Sequence, residues 1–291
     1  MSDAQSEKTP GLSPDEEQEV SHNQPPRAAV LHEIIRAQGD QELERTLAAL
    51  WWSALAAGLT MGLSLMAMGL FYARLPEGDS AQVVASLGYS AGFLAVILAR
   101  QQLFTENTLT AVLPLMTAPT LTNLGRLLRL WTIVLLGNLA GTLLVAWVML
   151  ELPIFDSKTD VAFLDVGRKV MENGIGQMFA KGIVSGWMIA TMVWMIPSME
   201  HAKIWIILMI TYLMALGDFT HIVVGSVEVS YLVWADEQSW SAFWLDFALP
   251  TLAGNIIGGS FIFALISHAQ VRSDSGKPPS KLLKDDKGAK N

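Results

Sequence analysis

Apolar runs about 20 residues long recur between Leu47 and His268. Each is long enough to cross a hydrocarbon layer about 30 Å thick. Backbone polar groups in that layer must find partners within the protein, so spanning segments are helices or closed barrels. The runs are continuous rather than alternating, which excludes a barrel. The pattern predicts an all-α polytopic membrane protein. Charged residues are only 16% of the 291, against roughly 25% in soluble domains, in keeping with that class.

Six spans are expected. The first covers about 47–72. The second starts near Val83, is interrupted at 100–107 and resumes over 108–115. The third covers about 127–150 and the fourth 174–196. The fifth lies within 204–234 and the sixth covers 242–268. Residues 1–26 read as an acidic, disordered N-terminal tail without a signal-peptide core. Residues 27–46 place Ala28, Leu31, Ile34, Ile35 and Leu43 at helical spacing, as in an amphipathic helix on the cytoplasmic surface. Residues 151–173 read as a polar periplasmic linker between two three-helix repeats, 47–150 and 174–270. Residues 271–291 read as a Lys-rich cytoplasmic tail. With both termini inside, the inner segments hold 13 basic residues and the outer loops four, Arg74, Lys158, Arg168 and Lys169. That bias sets the orientation.

The chain has no cysteine, which removes thiolate metal sites and thiol catalysis. His32-Glu33-Ile34-Ile35-Arg36 lacks the second histidine of a zinc helix, so no metal and no cofactor are expected. The net charge of −8 argues against nucleic acid as a partner. No nucleophile–base pair is evident, and an enzyme is the least favoured class.

Opposite orientation of two three-span halves implies an inverted repeat. Ala57-Gly58-Leu59-Thr60-Met61-Gly62 resembles Lys181-Gly182-Ile183-Val184-Ser185-Gly186. Phe104-Thr105 matches Phe219-Thr220, and Gly137-Asn138-Leu139-Ala140-Gly141 matches Gly254-Asn255-Ile256-Ile257-Gly258. Such repeats with paired broken helices place a substrate path at mid-membrane.

Gly217-Asp218-Phe219-Thr220-His221-Ile222-Val223-Val224-Gly225 sets an acid and a histidine inside an apolar run. Ionisable groups at that depth are expensive and mark a path or a partner. Free N–H groups after a break suit an anion. Thr105 and Thr220 each offer a hydroxyl. Leu103, Phe104 and Phe219 suit a dewetted constriction. His221, which titrates near neutrality when unperturbed, suits a weak-acid anion. Glu106, Asp218 and Glu228 either turn aside, paired with Arg100 or loop N–H groups, or line the path of a cargo that is not a simple anion. Asn107, Asn138 and Asn255 are polar supports, with Asn138 and Asn255 capping loop carbonyls or cross-linking helices.

Leu103-Phe104-Thr105-Glu106-Asn107, Gly137-Asn138-Leu139-Ala140-Gly141, His221 and Gly254-Asn255-Ile256-Ile257-Gly258-Gly259 together resemble the formate/nitrite transporter family, over about residues 28–270. The resemblance implies an aquaporin-like six-helix protomer, assembled as a homopentamer in a bacterial inner membrane amid lipid. It implies one pore per protomer for small monovalent anions such as formate, nitrite or hydrosulfide. Thr105 and His221 would be the functional pair, with Leu103 and Phe104 at the constriction. Family members usually carry an acid where this chain has Gln102, Glu where it has Thr220, and often Asn where it has Gly225. A pore for a neutral or cationic solute using Asp218 and Glu106, and a non-transporting scaffold acting through its tails, are the alternatives.

Overall fold

The computed structural model describes residues 13, 15–16, 26–76 and 78–275. Most of the acidic tail (1–26) and of the Lys-rich tail (271–291) lies outside the described residues. Within them the fold is all-helical. The order is α1 (Ala28–Glu44), α2 (Leu47–Tyr72), α3 (Asp79–Leu98), a 3₁₀ turn (Glu106–Thr108), α4 (Val112–Thr117), α5 (Leu121–Glu151), α6 (Ser157–Met171), α7 (Ile175–Met195), α8 (Lys203–Leu216), α9 (Ile222–Trp234) and α10 (240–275). Two π-helical stretches, Phe243–Ala248 and Ile257–Ala264, interrupt α10. Helices α2, α3, α5, α7 and α10 are long and apolar enough to cross a membrane, while α8 and α9 are apolar but shorter.

The outer helix faces are apolar. Trp52, Trp205, Leu245, Phe261 and Ile266 are each at least 59% exposed. Such a surface would drive aggregation in water, whereas lipid chains or a neighbouring protein accept it. The interior inverts the soluble pattern in part: Thr105, Asn138, Thr142, Ser185, Thr211 and Asn255 are fully buried and hydrogen-bonded.

Helices cross closely where side chains are absent. A Cβ on Gly58 would lie 2.2 Å from the Asn138 carbonyl oxygen, and one on Gly186 would lie 2.3 Å from that of Asn255. These contacts draw α2 against α5 and α7 against α10 at backbone distance, the use to which membrane proteins put small residues.

Residues 157–171, expected within a polar linker, form α6. Asp156 caps it by accepting from the Thr159 N–H at 2.8 Å. The Thr159 hydrogen bonds hold the Asp156 carboxyl below the usual carboxylate range. Arg168 and Lys169 occupy the last turn, where the helix dipole favours cations. The buried stripe Ala162, Phe163 and Val166 fixes its inner face, and Phe163 packs edge-on against Tyr231. The linker looked polar because an amphipathic helix lying across the bundle end keeps one wet face.

Helix α1 covers the opposite end. It buries Leu31, His32, Ile35, Gly39 and Leu43, and Arg129 on α5 donates to the carbonyls of Leu43 (2.6 Å) and Arg45 (3.2 Å), capping its last turn. His32 Nε2 meets His268 Nδ1 at 3.0 Å, and burial holds the His32 imidazole below its ordinary pKa.

These crossings make a checkable contrast. Gly186→Val drives a methyl into backbone and is expected to cost about 2–3 kcal/mol. Gly176→Ala, with nothing within 4 Å of the added carbon, is expected to be neutral or stabilising by up to about 1 kcal/mol. Thermal unfolding in detergent measures both.

Candidate functional site

Two helices stop in mid-bundle, and they stop in the same way. Helix α3 ends into Arg100, at φ 53°, and α8 ends into Asp218, at φ 51°. Residues at a helical C-terminus often adopt this left-handed conformation, usually as glycine. In each case the next N–H reaches back five residues: Gln101 to the Val96 carbonyl and Phe219 to the Met214 carbonyl, both at 3.0 Å.

One buried asparagine then ties each break to the bundle. Asn138 on α5 accepts from the Phe104 N–H at 2.9 Å and donates to the carbonyls of Ala54 and Gln102, both at 2.8 Å. Asn255 on α10 accepts from the Ile222 N–H at 2.9 Å. It donates to the carbonyls of Gly182 (2.9 Å) and Thr220 (3.2 Å) and to Ser185 Oγ (2.8 Å). By turn and by asparagine contact, Arg100 stands as Asp218 does, Gln101 as Phe219, Gln102 as Thr220, and Phe104 as Ile222. This shifts the matching of Phe104-Thr105 to Phe219-Thr220 by three residues, and Gly58 corresponds to Gly186 rather than Gly182. The register follows the turn and the asparagine, not the side chains in the loop. His221 thus stands where the first break has Leu103.

The offset lets the two breaks meet. Thr105 Oγ1 lies 2.7 Å from His221 Nε2, and both residues are at most 1% exposed. His221 is also the N-cap of α9, its Nδ1 accepting from the Val224 N–H at 3.3 Å. A neutral ring that accepts at Nδ1 carries its hydrogen on Nε2, so Nε2–H donates to Thr105. The network assigns that tautomer. The Thr105 hydroxyl hydrogen is then free to donate to a third group. Phe93 packs edge-on to the imidazole at 5.1 Å.

The remaining expected site residues spread around this pair. Leu103 and Phe104 are buried, and Phe104 packs edge-on to Trp131. Thr220 Oγ1 donates to the Met178 carbonyl at 2.8 Å, so its hydroxyl is occupied. Asn107 donates to Gln102 Oε1 (3.0 Å) and the Leu103 carbonyl (3.2 Å), supporting the first loop. Phe219 lines a cavity of about 60 Å³ together with His221, Glu228, Tyr89, Lys169 and Asp218. Asp218 pairs with Lys169 at 2.7 Å, not with Arg100. Among the described residues, the side chains of Arg100, Glu106 and Glu228 make no ion pair and no hydrogen bond. No group of three or more metal-binding side chains occurs among the described residues either.

Two members of the site had no clear signal in the sequence. Ser185 donates to the Thr220 carbonyl at 2.5 Å. Glu42 on α1 accepts from Gln102 Nε2 at 2.7 Å while paired with Arg45 at 3.0 Å. Both are ordinary polar residues whose partners in the loops, Thr220 and Gln102, lie more than 30 residues away.

The sequence model of the formate/nitrite transporter family matches residues 29–269. The chain belongs to that family. It is 57% identical over 250 residues to the inner membrane protein YfdC of Escherichia coli (strain K12), covering 86% of this chain and 81% of that protein. It is 23% identical to the formate channel FocA of Haemophilus influenzae, covering 70% and 81%. In solved structures its fold resembles a pentameric formate channel with formate bound, with a TM-score of 0.67 at 18% identity over 78% of this chain and 98% of that one. It also resembles an FNT family ion channel, with a TM-score of 0.68 at 20% identity over 84% and 96%. Among formate/nitrite transporters, this chain's departures each have a nearby counterpart. Gln102 binds the carboxylate of Glu42, and the acid missing at Thr220 stands two residues earlier as Asp218. At Gly225 the Phe247 ring takes the place of a side chain, 2.7 Å from where a Cβ would stand, with Glu228 Oε2 beside it at 3.8 Å.

The central pair is testable by stability. Thr105→Val leaves the His221 Nε2–H buried without an acceptor and is expected to cost about 1–3 kcal/mol, while Thr105→Ser costs less than half of that. His221→Ala loses a helix cap worth about 1 kcal/mol, which His221→Asn retains. Thermal unfolding of the four variants checks the order.

Proposed function

We propose that the chain is a channel-like transporter of small monovalent anions, formate, nitrite or a similar weak-acid anion, working in a bacterial inner membrane. The reading takes six spans as three plus three, α3 with the loop and α4 forming the second and α8 with α9 the fifth. It takes the two halves as an inverted repeat. The matched bonds of Asn138 and Asn255 support that division. A homopentamer, both termini cytoplasmic and one pore per protomer complete the reading, supported by the apolar outer faces, the basic-residue bias and the assembly named for the formate channel of similar fold. Residues 1–26 and 271–291 are tails in this arrangement, and 27–46 lies along the cytoplasmic surface.

The single observation that carries the function is the Thr105–His221 contact, which joins the two breaks in the bundle interior with one hydroxyl hydrogen to spare. A weak-acid anion or its neutral acid arriving there meets a donor, and the backbone N–H groups at each break present partial positive charge to an anion on the way. Leu103, Phe104 and Phe219 strip its water. Thr220 and the asparagines hold the loops. His221 fixes the orientation of Thr105 and lowers the cost of bringing charge to mid-membrane.

Flux into proteoliposomes tests this. The parent is expected to take up formate, nitrite or hydrosulfide. Thr105→Val and His221→Asn, assembled normally, are expected to lose at least about tenfold of that rate, the value of one well-aimed donor in a dry site. Unchanged rates in both variants would overturn it. A larger loss on neutralising Asp218 and Glu106 than on changing His221 would favour a neutral or cationic cargo.

A further inference from the structure

Glu228 has no part in the path described so far. It lies seven residues after His221 on α9, two turns and about 10 Å further along the same face. It is 4% exposed. Among the described residues its carboxyl makes no hydrogen bond and no ion pair, yet it lines the cavity beside His221. Its Oε2 would lie 3.8 Å from a Cβ at Gly225, one turn earlier, so the carboxyl leans back toward the imidazole end of the helix, the direction helical side chains take. The cavity's lysine, Lys169, is engaged by Asp218 at 2.7 Å.

An ionised carboxylate in that position is expensive, because no hydrogen bond or ion pair replaces its lost hydration. It would also repel an incoming anion. The same group carrying a proton is neutral and is a donor. The charged or titratable groups sharing the cavity are Tyr72 from α2, Tyr89 from α3, Lys169 from α6, and Asp218 and His221 from the break. Helix α5 adds none, and the π-helical stretch adds the apolar Phe247. His221 has neither nitrogen free, since Nδ1 accepts from Val224 and Nε2 is bonded to Thr105.

We propose that Glu228 is the proton donor that neutralises a weak-acid anion before it reaches the Thr105–His221 contact. The proposal rests on the anion-transport reading above. The carboxyl O–H bond breaks with its electron pair left on Glu228. The proton bonds to the anion, and the neutral acid moves on past His221. Glu228 then regains a proton from water in the cavity, which is large enough for a few molecules. No electron transfer is involved. Transport is thereby coupled to one proton per anion, and the donor is a carboxyl rather than the imidazole.

The test uses the intact assembly in proteoliposomes, with parent, Glu228→Gln and Glu228→Asp. Formate and hydrosulfide uptake is followed against external pH. In parallel, infrared difference titration follows the carboxylic C=O stretch without transport. The parent is expected to show a protonated carboxyl at neutral pH that is absent in Glu228→Gln. Uptake by that variant is expected to fall at least about tenfold and lose its rise toward low pH, with partial recovery in Glu228→Asp. If the parent transports and Glu228→Gln keeps the same pH profile, the donor role is overturned while anion transport stands. If the infrared band is lost as expected but the parent carries no anion, the transport reading fails and the donor role with it. If the parent shows no band that Glu228→Gln removes, Glu228 is not protonated at rest and the proposal is overturned.

Discussion

A broken helix in the middle of a membrane leaves backbone N–H and C=O groups with no water to bond, and each unsatisfied group costs several kcal/mol. This chain has two such breaks, and their solution organises the rest. A left-handed residue closes each helix, and a buried asparagine side chain takes one N–H of the loop that follows and two carbonyls. The asparagines act at that range only because their helices are pressed close. Gly58 and Gly141 bring α2 to α5, and Gly186 and Gly258 bring α7 to α10. Sequence, packing and site are linked in that order: glycine permits the approach, the approach delivers the asparagine, and the asparagine holds a loop that places Thr105 or His221.

The broad architecture was legible because hydrophobic length and charge bias are local properties. The breaks were legible as polar runs inside apolar ones. The family motifs named Thr105 and His221 before their 2.7 Å contact was known. Register was not legible. Phe104-Thr105 and Phe219-Thr220 look alike, but the chain is aligned by backbone turns that carry no side-chain signature, and the true spacing puts His221 opposite Leu103. Helix α6 was hidden because half of it is wet. The capping role of His221 was hidden by its chemical interest as a titratable group. Glu228 was visible only as one more acid, because the absence of a partner is a property of three dimensions.

The residues that depart from the family pattern do not leave holes. Gln102 keeps contact with a carboxylate, that of Glu42, and so ties α1 to the first loop. Thr220 turns its hydroxyl to Met178 while Asp218 engages Lys169. Gly225 makes way for the Phe247 ring, with the Glu228 carboxyl beside it. Carboxylates stand beside all three positions, at Glu42, Asp218 and Glu228, and the last has an apolar setting. In physical terms that retains the bundle and its central contact while changing what meets a solute on the α6 side.

Transport through this site requires two aqueous approaches, one from the α1 end and one from the α6 end, that meet at the Thr105–His221 contact. The absence of any native cysteine makes this directly measurable. Glu106→Cys and Ser86→Cys, in separate otherwise unchanged proteins, are exposed in sealed proteoliposomes of known orientation to a small membrane-impermeant thiol reagent. The account predicts that each labels from one side only and that the sides are opposite. Labelling of both from the same side, or of either from both sides, would contradict it.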